Sequence, residues 1–178
     1  MGILKNICCL IFLLSSGFIL SQEEETIPWS PDRKLMWEDF KGRPFKTAWA
    51  AAVTASGISY EFSSTETNGE LKLDIEISTH FYPDKSWFQP DLVNGVILSH
   101  EQLHFDIAEL FARKMRKQVS QANLTGNVKA EIKKIYRDIL KELGAFQKKY
   151  DYETNFSRNI QQQLQWNAKI AELLNEME

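Results

Sequence analysis

Ile97-Leu98-Ser99-His100-Glu101-Gln102-Leu103-His104-Phe105-Asp106-Ile107 carries the decisive pattern of this chain. Its apolar residues recur at helical spacing, and His100 and His104 fall four residues apart. On a helix that spacing stacks two imidazoles on one face, one turn apart, where both can grip a single metal ion. Glu101, directly after the first histidine, is then placed to take a proton from a water on that ion. This is the H-E-x-x-H arrangement of a zinc site. The competing reading is a plain helix with two polar histidines satisfied by backbone and carboxylates, and Glu101 a surface charge. The chain has three histidines in all, and two of them stand in this motif.

Outward from the motif, the helix extends in both directions. Pro90-Asp91 suits a first helical turn, proline by its fixed φ and aspartate by its charge. Val93, Ile97, His100, His104, Ile107 and Phe111 then share one stripe, and Lys114, Arg116 and Lys117 follow toward the C-terminal end. Thr125-Gly126-Asn127 breaks the run. A second stripe, Val128, Ile132, Ile135, Ile139, Leu143, Phe146 and Tyr150, advances in steps of three or four and predicts a second helix. A third is expected from about Thr154 through Ile160, Leu164 and Leu174. Before the motif, Leu71, Leu73, Ile75 and Ile77 alternate with Lys72, Asp74 and Glu76, the period of a half-buried strand. Val53–Phe62 is its expected partner, with a change of parity near Gly57 that suggests a bulge, and Asn68-Gly69 closing the hairpin. Trp37 and Phe40 read as aromatic anchors in an irregular segment. The fold class is α+β: a small antiparallel β-sheet followed by three helices, with a zincin-like active-site helix.

The ends and the composition bound the function. Lys5 precedes an apolar run, Ile7 to Leu20, after which Ser21 and the acidic Gln22-Glu23-Glu24-Glu25 follow. That is the layout of a signal peptide over residues 1–21, and the run is short for a membrane span, which needs about 20 apolar residues. The protein is therefore expected to be secreted or periplasmic, with no stable membrane anchor after cleavage. Residues 22–34 read as a solvated lead-in, and 35–178 as one domain. Cys8 and Cys9 are the chain's two cysteines and both lie in the leader, so a metal site must use histidine, carboxylate and water. Losing Lys5 takes the formal charge from −3 to −4. A mildly acidic chain without a basic block argues against nucleic acid as a partner.

A catalytic zinc usually has three protein ligands plus water, with zinc lowering the water's pKa to about 7. His100 and His104 are the first two candidates and Glu101 the candidate general base. For the third, His80 is the spare histidine, but strand alternation turns it with Ser78 to the polar, solvent-facing side. Glu109 lies about 140° around the helix from His104 and cannot easily reach the same ion. Asp151 and Glu153, before the last helix, are better placed to fold back, although each also suits a surface or capping role. Asn123-Leu124-Thr125 and Asn155-Phe156-Ser157 match the glycosylation sequon by chance composition.

Several longer stretches resemble one family: Leu35-Met36-Trp37-Glu38-Asp39-Phe40-Lys41-Gly42-Arg43-Pro44, Lys85-Ser86-Trp87, His100 through Glu109, and Tyr150-Asp151-Tyr152-Glu153-Thr154 with Gln163 and Trp166 behind it. The chain is similar here to a bacterial family of predicted secreted zinc-dependent proteases, classed as a domain of unknown function. The resemblance implies a secreted bacterial protein with a zinc-peptidase-like site at His100, Glu101 and His104; it does not establish a substrate, for which a peptide or protein is the candidate. In that family the tyrosine–aspartate block leads to a histidine, a natural third ligand, where this chain has Phe156. Phenylalanine cannot bind zinc and is expected on the apolar stripe with Ile160 and Leu164. Three functions stand open: a secreted zinc hydrolase, most simply a peptidase; a non-catalytic envelope binding or structural relative whose third ligand has been lost; and a metallohydrolase acting on another amide.

Overall fold

A computed structural model of the chain describes residues 24–44, 50–68 and 70–177. The expected signal peptide and Gly69 of the expected turn lie outside the described residues. The architecture is α+β, as the sequence predicts. A three-stranded antiparallel sheet has the order β1-β4-β3, from Ile27–Pro28 (β1), Ser56–Thr67 (β3) and Glu70–Phe81 (β4). A two-stranded sheet pairs Ala52–Val53 (β2) with Trp87–Phe88 (β5). Three helices follow: Gly95–Gln121 (α1), Val128–Glu153 (α2) and Ile160–Glu176 (α3).

The β3–β4 hairpin is longer than its apolar alternation suggests, and its register runs unbroken from Ser56↔Phe81 to Thr67↔Glu70. Opposed residues share a face. Ile58, Tyr60 and Phe62 stand opposite Thr79, Ile77 and Ile75 on the side that packs against the helices, and Glu61 and Glu76 stand on the other. Gly57 is not a bulge. It pairs with His80, and a Cβ there would touch the Tyr82 ring at 3.4 Å. The change of parity instead marks the passage between two strands, since Val53 belongs to β2 in the smaller sheet.

The segment read as a solvated lead-in is only partly so. Glu24 and Glu25 are exposed, pairing with Lys85 and Lys41. Ile27 and Pro28 instead add a strand to the edge of β4, and Trp29 donates from Nε1 to Asp106 of α1 at 2.8 Å. Beyond it Leu35 and Phe40 are buried with Phe81 and Phe105 in a second apolar cluster, and Trp37 packs at its margin. Gly42 lies so close to the carbonyls of Asp84 and Ser86 that a Cβ would stand 2.8 Å from each. That approach, rather than a turn conformation, requires glycine there.

Helix α1 starts at Gly95, later than Pro90-Asp91. Asn94 is the cap, its Oδ1 accepting from the backbone N–H of Val96 and Ile97, so Val93 lies outside the helix. The helix is central, packing against both long strands and both other helices. Ile107, Ala112 and Met115 are fully buried along it. Each large apolar side chain so buried contributes about 1.5–3 kcal/mol. Helix α2 begins where expected: Glu131 accepts from the Thr125 backbone N–H at 2.9 Å and from its hydroxyl at 2.7 Å, anchoring the first turn. Its carboxyl is held below the usual range by these two bonds. Val128, Ile132, Ile139, Leu143 and Tyr150 are buried, as the stripe predicts.

The third helix departs from expectation. Thr154 is the C-cap of α2, and Asn155, Phe156 and Ser157 follow with φ of 48°, 52° and 70°, three consecutive left-handed residues. Helix α3 starts only at Ile160 and buries Gln163, Trp166, Ile170 and Leu174. Ile160 and Leu164 are exposed, and Phe156 shares no helical stripe with them. The side buried is set by where α1 lies, which a spacing of four between exposed residues does not reveal.

Candidate metal centre

His100 and His104 stand on the face of α1 turned toward the end of α2, their ring centroids 4.9 Å apart and nearly perpendicular. His100 is 4% exposed. Its Nδ1 lies 2.9 Å from Gln163 Oε1 of α3. The Gln163 amide is oriented by its Nε2, which donates to Asn167 Oδ1, and its Oε1 also accepts from the Tyr150 hydroxyl at 2.9 Å. An amide oxygen can only accept, so His100 carries its proton on Nδ1 and turns the Nε2 lone pair to the cluster. Tyr150 stacks on the His100 ring at 4.5 Å and meets His104 edge-on at 5.1 Å. Burial pushes its hydroxyl well above the usual tyrosine range, against the lowering effect of the Gln163 bond.

Asp151, on the last turn of α2, completes the group. Its Oδ1 is 2.9 Å from His104 Nε2 and 3.3 Å from His100 Nε2. One donor atom from each of the three residues lies within 4.8 Å of the others. Burial alone would raise the Asp151 carboxyl, but the two imidazoles directed at it outweigh burial and hold it below the usual carboxylate range. Among the described residues Asp151 Oδ1 is nevertheless buried without a hydrogen bond of proper geometry. Two imidazole nitrogens and a carboxylate oxygen thus converge on one point, a donor set that can hold a metal cation. Ligand atoms about 2.0–2.2 Å from a tetrahedral zinc lie roughly 3.3–3.6 Å from one another. The contacts at 2.9 and 3.3 Å are close to that spacing.

Glu101 is 5% exposed and borders the same cavity, of about 540 Å³, as His100, His104 and Asp151. Its backbone carbonyl accepts from the Thr54 hydroxyl at 3.2 Å, fastening the chain after β2 to α1. Its carboxylate takes no hydrogen bond or ion pair among the described residues. The cavity wall runs from Ala50 to Thr54 on one side and from Phe156 to Arg158 on the other.

Two of the three candidates for a third ligand are elsewhere. Glu153 Oε2 accepts from Trp166 Nε1 at 3.0 Å, and Lys149 approaches the same carboxylate at 3.7 Å, which makes it a tie between α2 and α3. His80 does lie on the polar face of β4, but between Pro28 and Gly57 it is half-buried rather than solvent-facing. Its Nδ1 is buried without a partner among the described residues, on the side of the sheet away from α1. Phe156 is the reverse case. Expected in the apolar core, it lines the cavity mouth instead. Gln163 and Tyr150, which orient His100, belong to the stretches that resemble the family, but helical spacing marks neither as a partner of the site. Gln163 stands between Gln162 and Leu164, and the family resemblance alone singles it out.

The other motif residues are structural. Gln102 Oε1 accepts from the Leu35 backbone N–H at 2.7 Å and its Nε2 donates to Asp106 at 2.9 Å, tying the N-terminal segment to α1. Glu109 is buried, accepting from Thr79, Arg113 and Arg116 at 2.7, 3.0 and 2.9 Å.

These features define an α+β protein whose central helix, with the end of the next, builds a cluster able to hold a metal ion. Residues 84–158 match the model of a family described as "Bacterial protein of unknown function (DUF922)". The matched span contains His100, Glu101, His104, Asp151 and Phe156, while the Leu35–Pro44 stretch lies outside it. No curated protein and no solved structure matches the chain. No helix among the described residues is long and apolar enough to cross a membrane.

Proposed function

We propose that the chain is a secreted or periplasmic zinc-dependent hydrolase, in the simplest form a peptidase. One observation carries the reading: the convergence of His100 Nε2, His104 Nε2 and the hydrogen-bond-less Asp151 Oδ1 beside Glu101 in one open cavity. His100, His104 and Asp151 would hold the ion. Bound there, zinc supplies Lewis acidity toward a water and toward the carbonyl of the bond to be broken. Gln163 and Tyr150 keep the His100 ring and its tautomer fixed. Glu101 accepts the proton of the attacking water on a carboxylate oxygen and returns it to the leaving amine. Export rests on the apolar run of residues 7–20, and mature chain beginning near Gln22 would support it.

The second reading is a non-catalytic envelope relative, favoured by the presence of Phe156 in the cavity wall where the resembling family has histidine. Metal analysis after mild dialysis decides the first point: zinc is expected in the wild type and far less in His104→Ala. Equal metal content in both proteins would sink the site. Zinc retention without hydrolysis of any peptide or other amide in a broad substrate panel would favour the second reading.

A further inference from the structure

The wall of the cavity opposite Ala50–Thr54 is built by an unusual piece of backbone. Asn155, Phe156 and Ser157 all have positive φ, a left-handed conformation in which a Cβ crowds the following carbonyl. Such a run persists only where its surroundings enforce it. Here the Phe156 N–H donates to the Asp151 carbonyl at 2.9 Å, the Asn159 N–H to the Thr154 carbonyl at 2.8 Å, and the fully buried Thr154 hydroxyl to the Tyr150 carbonyl at 2.8 Å. The turn is thereby fixed to the same last turn of α2 that carries Asp151. It delivers Arg158 to the cavity mouth.

Among the described residues Arg158 is the one lysine or arginine lining this cavity. Arg33, Arg113 and Arg116 each hold a carboxylate within the fold. Among the described residues the Arg158 side chain has no ion pair, and its single hydrogen bond, Nη1 to the Asn155 carbonyl, is long at 3.4 Å. Most of its planar donor fork is left for a ligand, and such a fork matches a carboxylate with two parallel bonds. Resting on the reading of this cavity as a substrate cleft, we propose that Arg158 is a specificity-determining residue that binds a carboxylate of the substrate. The carboxylate belongs either to an acidic side chain close to the cleaved bond or to the chain's C-terminus.

The test is equilibrium binding to the full mature chain carrying Glu101→Gln, so that bound peptide is not consumed. The probes are four acetylated, alanine-based, dye-labelled hexapeptides. Each contains one Glu or one Gln, and each ends in a free or an amidated C-terminus. The Glu peptide, or the free-acid peptide, is expected to bind about tenfold more tightly than its neutral counterpart, equivalent to about 1.4 kcal/mol. The pair that shows the preference identifies the source of the carboxylate. Arg158→Gln should abolish that preference and Arg158→Lys should keep part of it. The residue is exposed, so neither change removes buried surface. The series is run with zinc and with a chelator, and zinc content is measured on each sample. A preference that persists in Arg158→Gln, equal affinity for all four peptides, or no detectable binding would overturn the proposal. Failure to hold zinc while the metal-free chain keeps an Arg158-dependent preference would instead overturn the hydrolase reading alone.

Discussion

Two of the buried polar residues of helix α1, His100 and Glu109, stand nine residues apart in sequence and are built on opposite principles. Around Glu109 every charge is answered: Thr79, Arg113 and Arg116 all donate to its carboxylate, and Arg116 also donates to the Ile77 carbonyl. Around His100 the carboxylate of Asp151 faces two imidazoles and lacks a hydrogen bond. A saturated buried carboxylate holds elements together. An unsaturated one among convergent donors is prepared for something that is not part of the chain. The distinction does not depend on burial, since Glu109 and His100 are 5% and 4% exposed. It depends on whether the electron pairs have been used.

The largest effect should come from Glu101→Gln, which leaves the three ligating groups intact. If the cluster serves hydrolysis, the variant keeps zinc and loses on the order of 10²–10⁴ in turnover, the usual contribution of a general base. Full activity in that variant would place the base elsewhere.

Next, the two carboxylates should fail differently. Glu109→Ala leaves two arginines facing a buried gap and should lower stability by about 3–5 kcal/mol in denaturant unfolding, with or without zinc. Asp151→Asn removes only the contacts to two imidazoles, none a hydrogen bond of proper geometry, so the metal-free fold should lose less than with Glu109→Ala. Its zinc affinity, measured against a competing chelator, should fall by at least the roughly 10–100-fold seen when a ligand's supporting partner is removed. Similar stability losses in both proteins would erase the contrast.

A smaller effect is expected from Phe156→His. The side chain is 43% exposed at the cavity mouth. The change should therefore shift stability within about 0.5 kcal/mol, as for other surface sites. Histidine is also among the residues that tolerate the left-handed region better. Zinc should bind more tightly and the melting temperature should depend more on zinc than in the wild type. Unchanged affinity in a folded variant would mean that three ligands suffice.

The smallest effect is the acid response of the metal-free chain. The folded Asp151 carboxyl is held low, so its contribution to stability is complete above the unfolded value of about 3.9 and is lost as pH falls through the folded one. Relative to Asp151→Asn, the wild type should lose stability only below about pH 4. A gap between the two that stays constant down to acid unfolding would show that the carboxyl is not depressed.

The same contrast explains what could be read from the chain. The histidine pair and the stripes of α1 and α2 were legible because helical period and motif spacing are local properties. Asp151 was legible only as one of three candidates. The choice among Asp151, Glu153 and His80 is made by the crossing of α2 over α1 and by the side of β4 that faces it. The start of α3 was misplaced because Asn155-Phe156-Ser157 contains no glycine to announce a left-handed turn. Strands β2 and β5, two residues each, are too short to show any period.

The dependence of His100 on Gln163 has a bearing on biogenesis. The acceptor that fixes the tautomer of the first histidine sits 63 residues later, in the last helix. A nascent or truncated chain ending before residue 163 would already contain His100, Glu101, His104 and Asp151. It would still leave His100 Nδ1 without its acceptor and the ring free to turn. The centre is therefore finished by a segment synthesised well after the motif itself, so a chain that has not yet docked α3 would meet metal with its donors unaligned.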